Sequence, residues 1–169
     1  MTLPQQPGLT FGRVHDNDDV PDPELDLTFA EDLATYLTLL GPPPRQPADD
    51  PGLAEQGELL FETTGCASCH LPSLPGADGP VPLYSDLLLH ATLPEGAGGI
   101  EEGSSTVREF RTPPLWGVSR TAPFMHDGAA ETLDAAVLHH DGEARAVRET
   151  YEGLSQAERD ALVAFLETL

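Results

Sequence analysis

Gly65-Cys66-Ala67-Ser68-Cys69-His70 is the stretch on which the reading of this chain turns. It holds both cysteines of the 169 residues, with two residues between them and a histidine directly after the second. Thiols so spaced can add across the two vinyl groups of one porphyrin, and the adjoining histidine then stands beneath the iron as its proximal ligand. The pattern predicts one covalently attached haem c, tethered by Cys66 and Cys69, with His70 on the metal. An ordinary structural disulfide needs more separation than two residues give. A thioredoxin-like dithiol is not normally followed at once by histidine, and a zinc or dithiol site is the alternative to haem.

Working outward, Asp50 can cap a helix whose first turn accepts Pro51, and Leu53, Gly57, Leu60 and Phe61 mark one of its faces. At the other end of the chain, Ser155 and Glu158 form a capping box ahead of Leu162, Phe165, Leu166 and Leu169 on one side of a last helix. A helix before the haem motif and a C-terminal partner, crossing closely at the small Gly57, is the helix pair of a cytochrome c fold. Between them, residues 71–106 are rich in Pro and Gly, broken by Tyr84-Ser-Asp-Leu-Leu-Leu-His90. Pro94 to Ser105 reads as a flexible surface loop. Two short helices are expected at about Thr132–His140 and Ala144–Tyr151. No internal repeat and no alternating strand stands out. The expected class is all-α: a class I cytochrome c-like haem domain over residues 48–169, with long Pro/Gly-rich loops.

Residues 1–47 read as an appendage. The first 26 are rich in Pro, Asp and Gln and predict an irregular arm. Phe29, Leu33, Tyr36, Leu37 and Leu40 then recur at helical spacing, and Gly41 with Pro42-Pro43-Pro44 closes that helix into a stiff linker. It looks like the final helix of something upstream.

Eight basic residues, all arginine, face 29 acidic ones, for a formal charge of −21. Such a balance argues against nucleic acid, which needs clustered basic side chains. It predicts a strongly solvated acidic surface that could also steer a basic redox partner. No run of about 18 apolar residues occurs, so no transmembrane segment is expected. The N-terminus lacks the basic flank and apolar stretch of a secretory signal. Haem attachment of this kind normally follows export, so the expected location is periplasmic or otherwise exported, with a leader removed or the chain forming part of a longer exported protein.

The second axial ligand has several candidates: His90, Met125, His126, His139 and His140. Met125 lies in a Pro-flanked loop of the sort that presents a methionine, whose thioether raises a haem potential where a second imidazole lowers it. Leu133, Ala136, Val137 and His140 instead share one helical face, which places an imidazole at the end of an apolar stripe. His139 falls on a neighbouring, more exposed face.

Gly57-Glu-Leu-Leu-Phe61 to His70, Tyr84 to His90, Phe110-Arg-Thr-Pro-Pro-Leu-Trp-Gly117, Thr121-Ala-Pro-Phe-Met-His-Asp-Gly128 and Thr132-Leu-Asp-Ala-Ala-Val137 together resemble the di-haem oxidoreductase family, similar to bacterial cytochrome c peroxidases and MauG-type enzymes. The resemblance covers roughly residues 25–169 and corresponds to the C-terminal haem domain, with residues 25–40 resembling the last helix of the preceding domain. In the related peroxidases the distal ligand stands fourteen positions after the His-Asp-Gly histidine, which is here His140. The resemblance thus implies a bis-histidine haem with His70 and His140 on the metal and Met125 as the alternative. It further implies His126 and Asp127 near the haem edge, Arg111 pairing with a propionate, and Trp116 packing the haem pocket. This chain departs from the family in having a single haem motif, and in Ala-Thr-Leu-Pro rather than Asp-Met-Gly after His90. The expected function is electron transfer through one haem, as the relay half of a di-haem design. The alternative is a peroxidase-like oxidoreductase with a displaceable distal ligand, or one whose reactive second haem sits on another domain.

Overall fold

The computed structural model describes residues 26–96, 98–101 and 103–169. The irregular arm expected over residues 1–26 lies outside these apart from Asp26, and the loop expected at Pro94–Ser105 lies outside them at two positions. The chain divides into two units, the second running from Pro42 to Leu169.

Of the first unit, residues 26–41 are described. Asp26 accepts the Phe29 amide at 2.8 Å and starts α1, Leu27–Leu39, which none of its own residues leaves buried. In the second unit, α2 spans Pro51–Thr63, with the Asp50 carboxylate accepting the Gly52 and Leu53 amides and Pro51 in its first turn. Both starts are of the kind that satisfies orphan amides at a helix N-terminus.

The loops after α2 are not all irregular, which corrects the all-α expectation. Leu74–Gly76 (β1) pairs antiparallel with Gly79–Val81 (β2), and Leu89–Ala91 (β3) with Glu109–Arg111 (β4). The first pair is a hairpin closed by Ala77-Asp78, with Asp78-Gly79 at its corner, a strong hairpin signal concealed in a Pro/Gly-rich stretch. The second joins segments far apart in sequence. Its strands are three residues each, too short to display an alternating pattern.

Three helices complete the unit: α3 Leu133–His139 capped by Thr132, α4 Arg145–Glu152, and α5 Gln156–Leu166 opened by the Ser155–Glu158 capping box. α2 and α5 cross at Gly57, whose Cα faces the Ala161 carbonyl so closely that a Cβ there would lie 1.9 Å from the oxygen. The crossing buries Phe61, Leu162, Phe165 and Leu166 against Tyr84, Leu133, Tyr151 and Leu169. Phe61, Tyr84 and Phe165 meet ring to ring at 5.3–6.0 Å, in tilted and edge-on geometries. Tyr151 has no exposed surface, and its hydroxyl donates to Asp134 at 2.7 Å, tying α4 to α3. Segment 42–47 is fastened to the same unit: Arg45 donates to the Thr168 hydroxyl and lies over the Phe165 ring. No helix among the described residues is long and apolar enough to cross a membrane.

Candidate functional site

α2 delivers the motif. Gly65 turns the chain at φ 99° into a single 3-10 turn, Cys66–Ser68, and the Cys69 and His70 amides both bond back to the Cys66 carbonyl. Both thiols are free and partly buried. Burial pushes each thiol pKa up, partly offset at Cys66 by the Thr64 hydroxyl and at Cys69 by that of Ser68. The loop that follows is stitched to the turn, with the Ser85 amide on the Leu71 carbonyl and the Asp86 amide on the Cys69 carbonyl. That places Tyr84, at φ 53°, with its carbonyl 3.0 Å from His70 Nδ1. A carbonyl only accepts, so Nδ1 carries the proton and Nε2 keeps the lone pair. Burial lowers the His70 pKa to about 4, which keeps the ring neutral.

The motif forms one wall of a cavity of about 490 Å³. Leu133, Ala136, Val137 and His140 all line it, so the apolar stripe of α3 does face inward. His140 caps the C-terminus of α3, and its Nδ1 donates to the Ala136 carbonyl at 2.8 Å. Its Nε2 has no partner among the described residues, and burial lowers its pKa as well. Two imidazoles therefore line one cavity, each with Nδ1 spent on a backbone carbonyl and Nε2 available, the arrangement that orients metal-binding histidines. His139 does not line the cavity.

The remaining predicted residues divide. Met125, at φ 71°, lines the cavity from the loop before α3. His126 reaches it too, but its Nε2 donates to the Gly98 carbonyl at 3.3 Å and its ring stacks on Phe110 at 4.4 Å. Arg111, on β4, is exposed and stands at the cavity wall. Trp116 does not line this cavity. It borders a separate space of about 190 Å³ beside Pro42–Pro44, Arg45, Tyr84 and Leu169. The cause is the Gly117 amide bond to the Leu169 carbonyl, which holds this turn against the C-terminus. Two contributors were not legible in sequence. Arg148 on α4 and Glu143 line the cavity without any periodic signal, whereas His90, already a candidate for the iron, reaches it through the β3–β4 pairing.

The donor set and the space fit a haem c. Two thiols at attachment spacing and two Nε2 atoms open on a cavity within the roughly 300–1,000 Å³ of cofactor pockets. The wall between them is largely apolar, including Phe61, Leu93, Phe124 and Leu162.

Residues 10–169 match the family described as "Di-haem oxidoreductase, putative peroxidase". The chain belongs to the di-haem oxidoreductase family. Among relatives of this family, it is 33% identical to cytochrome-c peroxidase IdrP2 of Pseudomonas sp. (strain SCT), matching over 69% of this chain and 39% of that one. To methylamine utilization protein MauG of Methylorubrum extorquens it is 35% identical, over 69% of this chain and 34% of that one. The chain thus spans between a third and two fifths of the length of these relatives. A chain of Kuenenia stuttgartiensis hydrazine synthase shares the fold, with a TM-score of 0.61 at 22% identity over 86% of this chain and 56% of that one.

Proposed function

We propose that this chain is a c-type cytochrome domain that binds one covalent haem and transfers electrons, the relay half of a di-haem oxidoreductase. The observation that carries the reading is the pairing of His70 and His140. Both line one cavity, both are kept neutral by burial, and both have Nδ1 committed to a backbone carbonyl. Cys66 and Cys69 would form the thioethers, and His70 and His140 would be the axial ligands. A haem held here supplies one-electron chemistry at iron, at a lower potential than a histidine–methionine pair gives. The residues around it do the rest. Tyr84 and Ala136 fix the two imidazole tautomers, the apolar wall excludes water, and Arg111 and Arg148 offer positive charge for propionates. The acidic surface suits a basic redox partner, and attachment chemistry of this kind supports a location outside the cytoplasm, in the periplasm.

The test is the spin state of the haem-loaded protein by absorption and EPR. Wild type should be low-spin and His140→Ala high-spin; an unchanged spectrum in the variant removes His140 as ligand.

A second reading is a peroxidase-like oxidoreductase whose reactive haem lies on another domain. The names of the relatives and their greater length favour it. A rapid spectral change of this chain alone on adding peroxide would count for an open iron here, and against a simple relay.

A further inference from the structure

His90 and Glu143 take no part in the proposed ligand set, yet they fasten the chain just beyond His140. Glu143 lies in a 3-10 turn, Gly142–Ala144, three residues after that histidine. One of its carboxylate oxygens accepts the Ala91 amide at 2.8 Å, and the other stands 3.1 Å from His90 Nδ1. The second ring nitrogen of His90 is 2.8 Å from an Asp86 carboxylate oxygen. Ionised carboxylates only accept, so both ring nitrogens must donate, and only an imidazolium can do that. The backbone runs the same way. The Asp141 amide donates to the Thr92 carbonyl at 2.8 Å, and Gly142, at φ 56°, faces the Ala91 carbonyl where a Cβ would be only 2.0 Å from the oxygen. Asp86 is itself anchored to the Cys69 carbonyl at 2.8 Å. One charged bridge therefore joins the haem-attachment turn to the segment that follows His140.

We propose that His90, held as a cation between Asp86 and Glu143, is a positioning residue that sets how firmly His140 is presented to the metal. This rests on the reading of His140 as axial ligand. The groups facing His90 are Asp86 from the loop after the motif, Glu143 from the turn after α3, and Cys69 Sγ, which lies with the Asp86 and His90 ligand atoms inside 4.8 Å. His70, kept neutral by burial, lies further off, and Glu109 on β4 feels the Glu143 charge. Arg108 stands behind the turn, near Gly142, with its guanidinium on the Leu93 carbonyl. Neutralising either end of the bridge should loosen His140 while leaving the α2–α5 crossing untouched.

Carbon monoxide uptake by the reduced, haem-loaded chain measures this, because the gas must wait for the internal ligand to leave. His90→Gln and Glu143→Gln should each raise the uptake rate about fivefold or more, and the double variant should add little, since all three break one bridge. Amide exchange in the haem-free chain gives a readout that needs no metal. The Asp141 and Gly142 amides should exchange faster in both variants, with α2 and α5 unchanged. Wild-type uptake rates and wild-type exchange at these amides would overturn the proposal, even with His140→Ala turning the haem high-spin. A low-spin His140→Ala protein would instead overturn the ligand reading beneath it.

Discussion

Gly57 and Ala161 touch backbone to backbone: a Cβ on Gly57 would lie 1.9 Å from the Ala161 carbonyl oxygen and 2.8 Å from the Phe165 Cβ. The nearest obstacle is main chain, which cannot rotate away, so α2 and α5 would have to separate. Gly57→Ala should therefore destabilise the protein by about 3 kcal/mol, despite the higher helix propensity of alanine. In a thermal melt that corresponds to a Tm lower by about 10 °C. A Tm at or above wild type would mean the helices are not in contact here.

Tyr151 is wholly buried, and its hydroxyl donates to Asp134. Burial, with the nearby Asp134 carboxylate, drives the Tyr151 pKa far up, so the phenol stays protonated as a donor. Tyr151→Phe keeps the ring packing and removes one partner from the α3–α4 tie. The expected loss is about 1–2 kcal/mol in a denaturant titration. A larger cost than that of Tyr151→Leu would contradict the assignment of the ring as the main packing element.

If His140 rather than Met125 is the second axial ligand, Met125→Leu should leave the low-spin spectrum of the oxidised protein unchanged. The oxidised protein should also lack the near-infrared band of a methionine–iron bond. Such a band in wild type, lost in Met125→Leu, would transfer the role to Met125.

The bridge through His90 predicts a pH window. The hydrogen bonds His90 donates to Asp86 and then Glu143 raise its pKa above the ordinary 6.5. A raised histidine stabilises fully below 6.5, and that contribution fades as pH climbs through the folded value. Burial acts to raise the Asp86 carboxyl, but hydrogen bonds led by that of His90 outweigh it and leave it below 3.8. The Ala91 amide and then His90 hold Glu143 below 4.5. Depressed carboxylates stabilise fully above those ordinary values and lose the contribution as pH falls through the folded ones. The bridge is thus complete between about pH 4.5 and 6.5. Wild-type carbon monoxide uptake should be slowest in that range and rise on either side, whereas His90→Gln should be flat across the alkaline limb. An equally steep alkaline limb in His90→Gln would place the titrating group elsewhere.

The haem motif, the caps at Asp50 and Ser155, and the stripe ending at His140 were legible because each is local. A cap, a turn or a helical face depends on residues within a few positions of one another, and its pattern is written along the chain. Gly57 was legible for a related reason, since a glycine inside an otherwise apolar helical face has few uses other than close approach.

The strands, Trp116 and the His90 bridge were decided elsewhere. β3 and β4 are three residues each, and their pairing brings together Leu89 and Arg111, which no local propensity announces. Trp116 follows the family motif toward the haem pocket, yet a backbone bond from Gly117 to Leu169 holds its turn beside the C-terminus. Glu143 meets His90 across 53 positions, and only the folded chain puts a carboxylate on each side of that ring. The sequence by itself determined the cofactor chemistry and the helix pair that carries it, because covalent spacing and helical periodicity are short-range rules. Tertiary structure alone decided which side chains surround the cavity and which charge holds the His140 segment, because those contacts arise only when distant segments are brought together.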